Sequence, residues 1–373
     1  MRIAVLTNDY PPDASGGAGV IAAVYTKALR AKGHELRVFT RIPKLEDRSM
    51  VHRLVFHLQD LGADTFLANE ISEWSPDLLL THNLTGCGFA TPRLVARNGI
   101  AWVHVLHDVQ LIEPSGQIVH GENLVFIRRM WRRIWAALRT RALGCPSGVV
   151  SPTAWLLDVH RQYGFFHSSS TTVIPNPIPV ERPQEPATSS QLSRPVTFLF
   201  VGRLSRDKGI DLLLSAWKQL GAERPNLHIV GDGPFRNNIE SLDDPLIVFH
   251  GPLPHDQVVR LMSECQALVV PSRVYENQPT VILEALAAGC RVAAARVGGI
   301  PETLGEAGLT FLPGDADALT DVLRRILRSG PTEPERAVRE LVSSRHRVEV
   351  AAGALESFLK SNLKTRNFHP SSD

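Results

Sequence analysis

At 373 residues, with 43% hydrophobic and 21% charged side chains, the chain exceeds one ordinary core and is too apolar to be disordered or fibrous. Forty Lys and Arg against 38 Asp and Glu leave a net charge of +2, too little for bulk electrostatics to favour a nucleic-acid partner. Cys87, Cys145, Cys265 and Cys290 form neither a CxxC pattern nor a disulfide scaffold, the N-terminus lacks a signal peptide's apolar stretch, and no window approaches a membrane-spanning run, so a cytoplasmic protein is expected.

The first half alternates short apolar runs with segments of helical period. Strands are predicted over 2–7, 35–40, 77–81, 100–105 and 147–150, and helices over 18–32, 85–98, 122–143 and 153–162. Such alternation implies βα units and a parallel sheet. From Pro175 to Pro195 the composition turns to Pro, Glu, Gln and Ser, with little to pack, which reads as a linker. A second series follows, with strands at 196–201, 226–230, 246–250, 266–270 and 291–295 and helices at 209–222, 254–264 and 279–289. The expected architecture is therefore α/β, with two facing, doubly wound, Rossmann-like domains and a cleft between them. The N-terminal domain is 1–175, the linker 176–195 and the C-terminal domain 196–333. A helical segment over 334–364 has room to pack back on the N-terminal domain, and 365–373 reads as a disordered tail.

In doubly wound sheets ligands sit beyond the carboxyl ends of the strands. After the strand ending at Val201 comes Gly202-Arg203-Leu-Ser-Arg-Asp-Lys208-Gly209, two cations beside glycines at the entry to a helix. Arg grips phosphate oxygens in pairs and Lys acts as a point charge, so the segment suits a diphosphate; a solvated basic turn is the plainer alternative. After the strand ending at Val270 comes Pro271-Ser272, then Glu276-Asn277-Gln278-Pro279-Thr280, with Glu284 on an otherwise apolar helix that Pro279 is expected to open in its first turn. A carboxylate in that setting needs a partner, and a sugar's vicinal hydroxyls would serve, as would a buried salt bridge.

Glu276 and Glu284, with seven residues between them, resemble the E-x7-E motif of retaining glycosyltransferases of family 4, which have the two-domain GT-B fold. The resemblance extends over nearly the whole chain: Pro11-Pro12 with Gly16-Gly17, Gly33-His34-Glu35, His107-Asp108, Pro175-Asn176-Pro177, Gly231-Asp232-Gly233-Pro234 and Gly298-Gly299-Ile-Pro301-Glu302. It implies that Arg203 and Lys208 neutralise the donor diphosphate, that Glu276 binds the transferred sugar and that Glu284 holds the ribose. It further implies backbone contacts from Asn277, Gln278 and Thr280, close approach of Gly16 and Gly17 to the phosphates, and contact of His107 with the sugar near the reacting carbon. The implied reaction moves a hexose-type sugar from a nucleotide-diphosphate sugar to a glycan, lipid-linked or small-molecule acceptor, with retention of configuration and with neither metal nor cofactor.

Gly17-Ala-Gly19-Val-Ile-Ala22 imitates a dinucleotide fingerprint, but a nine-residue loop separates it from the first strand, and no acidic residue ends the second. Asp315-Ala-Asp317 imitates a metal-binding DxD, yet its place before a helical run fits an N-cap better. A nucleotide-sugar epimerase or an inactive nucleotide-sugar-binding relative are the rival functions on the same fold.

The segment 124–143 is strongly basic and amphipathic. Ile127, Met130, Trp131, Ile134, Trp135 and Leu138 fall on one helical face, and Arg128, Arg129, Arg132, Arg133 and Arg139 on the other. Its apolar face is expected either on the N-terminal sheet or on the inner face of a membrane, as a peripheral contact.

Overall fold

The computed structural model describes residues 1–12, 17–41, 50–121, 126–178, 197–329, 342 and 344–366. Gly16, most of the expected linker, the start of the basic segment, nearly all of 334–343 and the end of the tail lie outside these residues. The chain forms two compact units, one of 1–118, 123–177 and 348–373, the other of 119–122 and 178–347.

The first unit contains, in chain order, β1 (Arg2–Thr7), α1 (Gly17–Ala31), β2 (Glu35–Thr40), α2 (Met50–Gln59), α3 (Thr65–Glu73) and β3 (Leu78–Thr81). It continues with α4 (Thr91–Ala96), β4 (Ala101–Val105), α5 (Phe126–Leu143), β5 (Gly148–Ser151), α6 (Ala154–Gln162) and β6 (Ser170–Val173). Its six strands run in the order β2-β1-β3-β4-β5-β6, with every pair parallel. β3 and β5 are buried along their whole length, as expected where helices cover both faces of a sheet.

The second unit contains β7 (Thr197–Val201), α7 (Ile210–Gln219), β8 (Asn226–Val230), α8 (Arg236–Glu240), β9 (Ile247–Gly251) and α9 (His255–Glu264). It then has β10 (Ala267–Val270), α10 (Thr280–Ala288), β11 (Arg291–Ala295), α11 (Ile300–Leu304), β12 (Leu309–Phe311) and α12 (Ala316–Arg328). The strand order is β12-β11-β10-β7-β8-β9, again all parallel, so the winding reverses between β7 and β10. The last helix, α13 (Val348–Arg366), belongs to the first unit: Ala351, Leu355 and Leu359 enter the core with Ile3, Tyr25 and Leu29. Glu356 adds an ion pair to Lys32 at 3.3 Å and a hydrogen bond with His34 Nε2 at 3.1 Å.

Several expectations need correction. The helix predicted over 85–98 shrinks to α4, because Asp60 accepts hydrogen bonds from the Gly86 and Gly88 amides, both 2.9 Å, and holds that stretch as a loop; Pro92 then sits in the first helical turn. α2, α3, the five-residue α8 and α11, β6 and β12 have no counterpart among the predicted elements, the two strands because four and three residues of mixed burial leave little periodic signal. α5 is turned differently from the amphipathic reading: Trp135, Arg132 and Arg139 are buried, while Met130, Trp131, Ile134 and Leu138 are exposed. Arg132 Nε meets Glu113 at 3.1 Å, and the Arg139 guanidinium donates to the Gln110 carbonyl and stacks on Phe89, which draws this side of the helix inward. Among the described residues no helix is long and apolar enough to cross a membrane.

Candidate functional site

The reversal of winding brings the loops after β7 and β10 together, at the position where open α/β sheets bind ligands. Gly209, with φ of 74°, caps the start of α7, and a Cβ there would run into the Pro271 carbonyl oxygen, so only glycine lets the two loops come this close. Arg273 fastens them, its amide donating to the Asp207 carbonyl at 2.8 Å and its guanidinium to Asp211 at 3.0 Å.

This approach delivers the ionic core of the site. Lys208 Nζ lies 2.5 Å from Glu276 Oε1, which also accepts the buried Ser272 hydroxyl at 2.9 Å. The Glu276 backbone is fixed in turn by the next loop: the Gly299 amide donates to its carbonyl at 2.8 Å, and Gly298, with φ of 62°, has no room for a Cβ against that same carbonyl. With Oε1 committed twice, Oε2 is left to meet a ligand. Three N–H donors on the lysine ammonium allow it to keep Glu276 and bind a phosphate oxygen as well. Arg203, at the start of the same loop, is exposed.

α10 starts one residue later than predicted, with Pro279 as N-cap rather than in the first turn, and no side chain caps that end. Its first N–H groups, beginning at Thr280, are therefore available to an anion. Asn277 and Gln278 are half-buried in the approach to the helix. Glu284 lies one turn in, and its Oε1 is 3.4 Å from Nε2 of His255, the first residue of α9. The unit thus gathers two cations, an uncapped helix N-terminus and two half-buried carboxylates near its strand ends, groups able to bind phosphate oxygens and hydroxyls. Asp315 caps α12 by accepting the Ala318 amide at 2.9 Å, which accounts for that carboxylate without a metal.

In the first unit the reversal lies between β1 and β3. His107, two residues beyond β4, shares a 2.8 Å hydrogen bond with His82 Nδ1, directly after β3, and the rings stack at 5.1 Å. Burial pushes His107 down to about 4 and His82 well below its ordinary value, so both imidazoles are neutral at pH 7. Neighbouring Asp108 accepts from the Gln110 amide at 2.7 Å and from Asn83 at 3.1 Å. Gly17 opens α1, and a Cβ there would meet nothing within 4 Å, whereas Gly16 is outside the described residues.

The structure brings Lys208, Glu276 and the α10 N-terminus together and sets Glu284 in the same helix; Gly17 and His107 lie in the other unit. Sequence reasoning did not single out Ser272, His255 or His82. Ser272 and His82 each follow a strand end closely, the position already marked for inspection, whereas nothing in the sequence ties His255 to Glu284, 29 positions later.

The chain matches two family models, Glycosyltransferase Family 4 over residues 15–182 and Glycosyl transferases group 1 over 195–329. A glycogen synthase of Mycobacterium tuberculosis is 26% identical over 93% of this chain and 90% of its own length. Among solved structures, a sucrose-phosphate synthase from Thermosynechococcus elongatus superposes with a TM-score of 0.73 at 21% identity, covering 98% of this chain and all of that one. The Anabaena protein HepE, solved in complex with UDP, gives a TM-score of 0.70 at 18% identity over 97% of this chain and all of its own.

Proposed function

Since the chain belongs to glycosyltransferase family 4, with the GT-B fold, and is a glycosyltransferase, we propose that it moves a hexose from a nucleotide-diphosphate sugar to a glycan, lipid-linked or small-molecule hydroxyl, with retention of configuration. The observation that carries this reading is the Lys208 and Glu276 pair at the winding reversal, beside the uncapped N-terminus of α10. Arg203, Lys208 and that helix end receive the diphosphate, Glu276 Oε2 receives a hydroxyl of the transferred sugar, and Glu284 receives the ribose. The solved complex of HepE with UDP-glucose supports a donor of this kind.

In the proposed reaction the bond between C1 and the phosphate oxygen breaks with its electron pair going to the diphosphate. The acceptor hydroxyl forms the new bond on the same face and passes its proton to the departing phosphate oxygen. Positive charge already placed around the diphosphate stabilises the negative charge that grows there, and the reading calls on no cofactor. His107, as a neutral imidazole, is proposed to hydrogen-bond the sugar. An epimerase would not require the acceptor, which separates the two reactions.

A thermal-shift screen over nucleoside diphosphates and their hexose conjugates, followed by a product assay with each donor that binds, tests the proposal. A ligand present at 100 times its Kd adds about 2.7 kcal/mol of stability. Absence of any shift with every nucleoside diphosphate would refute the donor assignment.

A further inference from the structure

We propose that α2 and α5 together form a docking surface for an anionic lipid bilayer. On α2, Val51, Leu54, Val55 and Leu58 recur at helical spacing and are 45 to 68% exposed, whereas Phe56, His57 and Asp60 turn inward. On α5, Met130, Trp131, Ile134 and Leu138 form a second stripe, 40 to 56% exposed. The two helices meet where the His57 ring packs edge-on against Trp135, with centroids 6.1 Å apart. Two apolar stripes thus lie outward on neighbouring helices, an amount of apolar surface that calls for a partner.

Charge identifies that partner. Neither helix contains an acidic residue, while Arg53, Arg129, Arg133 and Arg141 are exposed. At 100° per residue Arg141 falls within the α5 apolar stripe, Arg133 flanks it beside Met130 with Arg129 beyond, and the buried Trp135, Arg139 and Arg132 lie past its other edge at Trp131. An apolar stripe edged by arginines is the pattern of a helix lying in a membrane interface, with side chains reaching the acyl boundary and guanidinium groups meeting lipid phosphates. Trp131, the most exposed residue of the α5 stripe, is suited to the headgroup level. α5 is held in this orientation from inside, by the Arg132–Glu113 ion pair and by Arg139 against Phe89, and turning its apolar stripe inward would break both contacts.

The test is flotation of the full chain with phosphatidylglycerol vesicles and, separately, phosphatidylcholine vesicles, each at low and high salt. Tryptophan emission is recorded alongside, and size-exclusion chromatography with light scattering is run without lipid. Flotation with the anionic vesicles at low salt, weakened at least about tenfold by high salt, with a blue shift of Trp131, is expected. The double substitutions Arg129→Glu with Arg133→Glu, and Leu54→Ser with Ile134→Ser, should each lose flotation while keeping the wild-type circular dichroism and nucleotide-induced thermal shift. Failure to float at low salt, equal flotation with both vesicle types, or equal flotation by well-folded variants overturns the proposal. So does a lipid-independent dimer that the Leu54 and Ile134 substitutions dissolve, because the stripe then belongs to a second copy.

Discussion

The Nζ of Lys208 and the Oε1 of Glu276, 68 positions apart in the chain, meet at 2.5 Å across the reversal between β7 and β10. The pair gives the strand-end loops a defined geometry before any donor arrives. Removing either partner should affect the reaction far more than the fold. Lys208→Ala and Glu276→Gln are each expected to lower kcat/KM about 100-fold or more, through lost stabilisation of the leaving diphosphate or of the transferred sugar. Stability should change by no more than about 1 kcal/mol, because the ion pair is partly solvated. Steady-state kinetics beside a melting curve checks this, and near-wild-type turnover in either variant would remove the pair from the site.

Glu284, with His255 beside it, is proposed to hold the ribose hydroxyls. The wild type should then prefer the best-binding nucleoside diphosphate over its 2′-deoxy form by about 10- to 100-fold, the range of one hydrogen bond to a charged group. Glu284→Ala should bind the ribo form more weakly and discriminate little between the two. Calorimetric titration of both nucleotides against both proteins measures this, and a variant that still discriminates fully would assign the ribose elsewhere.

Burial holds His107 and His160 at about 4 and His104 at about 3, against 6.5 for the free side chain. The folded state excludes protons that the unfolded chain takes up below pH 6.5, so stability is greatest above that value. It is lost as the pH falls toward 4, with each such histidine adding about 1.4 kcal/mol per pH unit to the slope. Denaturant titrations from pH 8 to pH 4 should show a plateau and then a decline. His104→Gln, chosen because His104 hydrogen-bonds Thr81 deep in the first unit, should flatten the decline. A stability that rises on acidification through this window would contradict the neutral buried histidines.

Leu355 and Leu359 of α13 are fully buried in the core of the first unit. Leu355→Ala should cost about 2 to 5 kcal/mol, from lost transfer energy and the cavity left behind. Nucleotide affinity, placed in the other unit, should remain near wild type. Calorimetric unfolding with and without nucleoside diphosphate tests both parts, and an unchanged melting profile would show that α13 contributes nothing to that core.

Much of the fold was legible because buried parallel strands are continuous apolar runs: Ile3-Ala-Val-Leu6 and Ala267-Leu-Val-Val270 announce themselves. The candidate site residues stood out for a related reason, since ligands of doubly wound sheets lie just beyond the strand ends, and Lys208 and Glu276 stand there. Short polar strands such as Ser170–Val173 carry too little pattern to be seen.

The sequence by itself therefore determined the βα alternation, the two-part chain, the positions of the cations and carboxylates, and the family. Tertiary structure decided which of these meet. Periodicity reports that α5 has an apolar face and a basic face, but not which of them turns inward, because that depends on Glu113 and Phe89, distant in sequence and available only once the chain has folded. The contacts of His107 with His82, and of Glu284 with His255, arise in the same way: the first joins two strand-end positions and the second joins the start of one helix to a residue one turn inside another, neighbours only once the chain has folded.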